Sequence, residues 1–64
     1  MIVLRSYNAH ELFLELVSLY SLLKKREIYE VEIELPDNHA IRDLKLKLKE
    51  NNKFSLIGNV VVLK

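Results

Sequence analysis

The amino-acid sequence predicts a small two-layer α/β domain in the order β-α-β-α-β, with a C-terminal β-hairpin as an open alternative. Both helices are expected on one face of a small sheet. Three observations lead there: a helical repeat of apolar residues over 9–26, strict alternation over 28–35, and a β-rich stretch over 54–63. At 64 residues with half of them apolar, the chain is expected to form one domain, residues 1–64, and is too apolar for a disordered segment.

Ile2-Val3-Leu4 reads as a first short strand, rich in β-branched residues. Asn8 comes next as a helix N-cap, with Glu11 three positions on to complete a capping box. From Ala9 to about Arg26, Leu12, Phe13, Leu16, Val17, Leu19, Tyr20 and Leu23 fall within an arc of roughly 160°. Lys24, Lys25 and Arg26 suit the negative end of that helix's dipole. Leu14 and Leu22 land among the polar residues.

Between Ile28 and Leu35 the second strand sets Tyr29, Val31, Ile33 and Leu35 on a core face and Glu30, Glu32 and Glu34 on a wet one. Pro36-Asp37-Asn38 is a turn, and Asp37 or Asn38 can cap a helix starting there. Residues 40–50 carry two patterns. Leu44 to Lys49 alternates with period two, so its lysines could pair with the glutamates of a hairpin partner. Residues 42–50 nevertheless hold no β-branched or aromatic residue, and Leu, Lys, Arg and Glu favour a helix. A helix is the reading adopted, with Ala40, Ile41, Leu44 and Leu48 on its inner face, Leu46 outside, and Asn51-Asn52 ending it through the left-handed conformation. Gly58-Asn59 can form a two-residue hairpin turn, or mark a bulge or the start of a single strand Val60–Leu63. Three consecutive valines point to a strand that is central or buried on both faces.

The stretch from Glu30 to Leu63 resembles a known family. Val31-Glu32-Ile33-Glu34-Leu35-Pro36-Asp37-Asn38 followed by Ile41-Arg42-Asp43-Leu44 resembles the strand-turn-helix of ubiquitin-like β-grasp domains. Gly58-Asn59-Val60-Val61-Val62 is similar to the next strand in their sulfur-carrier branch, the small subunit of molybdopterin synthase and its thiamine-pathway relative. Met1 to Leu4 would match their first strand. The resemblance implies a helix over 40–50. Those carriers use a C-terminal diglycine where this sequence has Leu63-Lys64, and they join their first two strands without an 18-residue helix. No activity carries over.

Composition narrows the chemistry. Without Cys there is no disulfide framework, thiolate metal site or cysteine nucleophile, and a single Gly leaves no phosphate-cradling loop. His10 and His39, 29 positions apart, read as helix-start residues, and Glu30, Glu32 and Glu34 as a solvated row; no catalytic residue, metal or cofactor is assigned. Met1 to Arg5 lacks the basic flank of a secretory signal, and the longest apolar-rich run, Leu12 to Leu23, includes Glu15 and is too short to span a bilayer. A cytoplasmic protein without membrane contact is expected.

The formal charge of +1 hides an asymmetry: residues 10–35 hold six acids and three bases, residues 37–64 three acids and six bases. Lys45, Lys47, Lys49 and Lys53 form a basic patch that reads either as a solubilising helix face or as a contact for nucleic acid. Leu14, Leu22 and Leu46, all on faces predicted polar, mark a partner surface. A domain of roughly 60 residues has a thin stability margin, which makes a second copy of the chain the first partner to expect. The functional expectation is a small non-enzymatic interaction or regulatory protein acting as a homodimer or small oligomer. Nucleic-acid binding through the lysines and a degenerate β-grasp adaptor are the alternatives.

Overall fold

A computed structural model describes residues 2–64. Its elements are β1 (Ile2–Arg5), α1 (Ala9–Lys25), β2 (Glu30–Glu34), α2 (Asn38–Lys49), β3 (Phe54–Ile57) and β4 (Val60–Leu63). The mixed four-stranded sheet has the order β1-β2-β4-β3. β1 and β2 are parallel, with Ile2 opposite Val31 and Leu4 opposite Ile33, so α1 is the crossover between them. β4 runs antiparallel to both β2 and β3 and lies between them. The hairpin alternative is the one adopted: Gly58 takes φ +63° at the first position of the turn.

Local chemistry sets the ends of α1. The Asn8 side chain accepts the Glu11 N–H at 2.8 Å. The other arm of the capping box passes through Ser6, whose hydroxyl accepts the Asn8 N–H at 3.4 Å and donates to the Glu11 carboxylate at 3.3 Å. At the far end Glu27 adopts φ 59°, Ile28 N–H bonds to Leu23 C=O and Glu27 N–H to Lys24 C=O, a Schellman closure with Glu where Gly is usual. α2 is capped by Asp37, which accepts the Ala40 N–H at 2.9 Å. It ends differently from the expectation. Neither Asn51 nor Asn52 is left-handed; the Asn51 side chain instead accepts the Lys53 N–H at 3.1 Å, a side-chain turn that leads into β3.

One core joins both helices to one face of the sheet. Leu12, Leu16, Leu44, Leu48, Val31 and Val61 are its fully enclosed side chains. Two residues expected inside are not. Tyr29 lies just before β2 and is 46% exposed, and Val17, at the margin of the α1 stripe, is also exposed. The apolar arc of α1 is thus narrower than its sequence pattern, because a sheet of four short strands covers only the central leucines. The valine run belongs to a central strand with ordinary alternation: Val61 is buried, while Val60 and Val62 are half-buried on the other face.

Candidate functional site

No element covers the second face of the sheet. The register sets one row across all four strands there: Val3, Glu32, Val60 and Ile57. A second row runs Glu30, Val62 and Ser55. Ile57 is 68% exposed, and Val3, Glu30 and Glu34 are also exposed. Glu32 is held by the Asn59 side-chain amide at 3.3 Å, and Arg5 pairs with Glu34 at 2.6 Å, the one ion pair among the described residues. This face therefore presents apolar side chains interleaved with carboxylates.

The three leucines singled out from the sequence are all exposed: Leu14 by 50%, Leu22 by 44% and Leu46 by 64%. Leu46 lies with Arg42, Lys45 and Lys49 along a shallow groove on the outer side of α2. Leu14 and Leu22 stand on the outer side of α1, two turns apart.

The lysine patch divides. Lys45 and Lys49 lie about 40° apart around α2, while Lys47 is roughly 160° from each, and half-buried. Lys45 and Lys49 line a groove between α2 and the edge strand β3, with Asn51, Ser55 and Lys64. Lys53 lies in the connection before β3, its ammonium 5.0 Å from the centre of the Tyr20 ring. Lys24 joins it from α1, 5.8 Å from the Tyr20 ring and 5.4 Å from Tyr29. The backbone oxygen of Lys64 ties the region together, accepting from the Tyr20 hydroxyl and, at 3.0 Å, from the Lys24 ammonium. Tyr20 in turn meets Phe54 edge-on, ring centres 5.3 Å apart.

Sequence spacing could not reveal that Lys24, Lys64, Tyr20 and Tyr29 join this group, since the contact brings together α1, the start of β2, the α2–β3 connection and the end of β4. Ile57 was recoverable: counting by twos from Ser55 puts it on the uncovered face. No polar side chain is buried, and no group of three or more metal-ligating side chains forms, among the described residues. No helix among them is long and apolar enough to cross a membrane. No family model, curated protein or solved structure matches this chain.

Proposed function

We propose that this chain is a small non-enzymatic interaction protein that works as a homodimer or small oligomer, using the uncovered sheet face as its contact. The observation that carries the reading is Ile57, 68% exposed in a row with Val3 and Val60 on a sheet whose other face is filled. Charge says how two copies meet. Face against face would bring the rows of Glu30, Glu32 and Glu34 together, which is repulsive. The outer side of α2 has the complementary character, with Arg42, Lys45 and Lys49 around the exposed Leu46. α2 packs on the covered face, so its outer side points away from the open one, and the contact is head-to-tail. Such contacts close into rings or extend, so within this reading a small ring is favoured over a two-fold homodimer. Leu14 and Leu22 lie outside this contact and are left to a further partner. The Ser6 hydroxyl and the Glu11 carboxylate are committed to capping α1, in keeping with a non-enzymatic role.

Sedimentation over a concentration series tests the reading. Wild type should exceed the 7.6 kDa of one chain, and Ile57→Asp and Leu46→Asp should each return it to that mass. A wild type that stays at one chain's mass across the series refutes it, as does an oligomer indifferent to both substitutions.

A further inference from the structure

The lysine-tyrosine region lies apart from the open sheet face and raises a different question. Helix dipoles account for lysines in the last turns of α1 and α2. They do not account for Lys53, which belongs to a connection yet converges with Lys24 on the Tyr20 ring, nor for Lys64 at the end of β4, whose backbone oxygen bonds to Tyr20 and Lys24. Lys64 also lines the groove of Lys45 and Lys49, so the groove and the Tyr20 region, with five lysines between them, meet at this residue. The acids nearest in the chain are Glu27, Glu30, Asp43 and Glu50. None of them lies within 4.0 Å of a basic group, and the only ion pair among the described residues, Arg5–Glu34, is at the other end of β1 and β2. The cations are therefore not neutralised internally.

From this convergence we infer that the surface is a binding path for single-stranded nucleic acid, with phosphates along Lys45, Lys49 and Lys64 and a base on the exposed ring of Tyr29. A flexible single strand fits better than a duplex. The path bends from the groove beside β3 around the end of the sheet to the tyrosines, on a molecule only 31 Å in its longest dimension. The aromatic rings add what a lysine face alone would lack: every base has a π-face, so stacking holds a strand without reading its sequence. Asn51 and Asn52 are the neutral polar residues at the α2 end of the groove, and no acidic residue lines it.

Fluorescence anisotropy with a short labelled single-stranded oligonucleotide, titrated at several salt concentrations, tests the proposal. Binding should weaken with salt at a log-log slope of about −2, as expected for three phosphate contacts at about 0.7 each. Replacing Lys53 and Lys64 together by Ala removes one of the three phosphate contacts, and should make the slope shallower by about 0.7 and weaken binding about tenfold at low salt. Tyr29→Ala should cost about tenfold with the slope unchanged, because stacking releases no counterions. Lys25→Ala with Arg26→Ala, both exposed at the end of α1, removes the same charge from residues assigned to neither surface and should leave the slope in place. Circular dichroism confirms that each variant is folded. Absence of binding at low salt overturns the proposal. So does an equal loss in the Lys25 and Arg26 control, or heparin and duplex DNA binding as tightly as the single strand with Tyr29 making no difference. Lys45 and Lys49 belong to both surfaces, whereas Lys53, Lys64 and Tyr29 lie on neither surface named for self-contact, so loss of nucleic-acid binding in their variants with the oligomer unchanged separates the two readings.

Discussion

The two faces of the sheet use the same strands to opposite ends, one wholly apolar and the other β-branched residues set among carboxylates. On the covered side Ile2, Val31, Val61 and Leu56 form one row across the four strands, and Val31 and Val61 are fully enclosed by the helices. One residue along, the row Val3, Glu32, Val60 and Ile57 is three-quarters apolar and has nothing above it. Burial, not side-chain chemistry, separates their β-branched residues. The covered row contributes stability in proportion to the area removed from water, while the exposed part of the open row contributes none. The lesson is that a β-branched residue in this sheet cannot be assigned to the core from its identity.

Matched substitutions on and between the faces test the contrast. The largest effect belongs to Leu16→Ala in α1, which opens a cavity over the covered face and should cost about 3 kcal/mol, read as a lowered urea midpoint with unchanged slope. For a chain this short that is a large share of the total stability. Next is a pair on one strand. Val61→Thr places a hydroxyl among leucines and should cost about 1–2 kcal/mol, whereas Val60→Thr, adjacent but on the open side, should stay within about 0.5 kcal/mol. Equal costs for the two would break the distinction between the faces.

Smaller effects come from where the chain passes from the helical layer to the sheet, and from the rim of the open face. Glu27→Gly relieves a left-handed residue in the turn between α1 and β2 and should stabilise by about 0.5–1 kcal/mol, raising the melting temperature. Arg5→Ala removes an ion pair whose side chains are 79% and 45% exposed, and should cost less than about 0.5 kcal/mol, an effect that vanishes at high salt.

Much of the architecture was legible because its signals are local. The leucine spacing of α1, the Asn8 and Asp37 caps, the Val31-Ile33 alternation and the Gly58 turn each act within a few residues, and the structure contains all of them. Helix won over strand at 40–50 because Arg, Leu and Lys lose little side-chain freedom in a helix, and Leu44 and Leu48 then share the buried face. Where local reasoning faltered, geometry several residues away had intervened. Tyr29 sits in phase with Val31 yet falls outside β2, beside Lys24. Asn51 stays right-handed because its side chain closes the turn instead.

Of the surfaces proposed for contact, Leu14, Leu22 and Leu46 were visible as misfits in a helical pattern, since an apolar residue on a polar helical face stands out against the 3.6-residue period. The lysine-tyrosine region had no such trace. Lys24, Lys53 and Lys64 are far apart in the chain, and their meeting depends on β4 pairing between β2 and β3, which is a long-range choice. Periodicity and capping chemistry specify which segments become helices and strands and which side of each is apolar. Strand order, the parallel pairing of β1 with β2, and the side of the sheet the helices leave bare depend on how one small core can be closed. No segment carries that information alone, because it resides in contacts between segments.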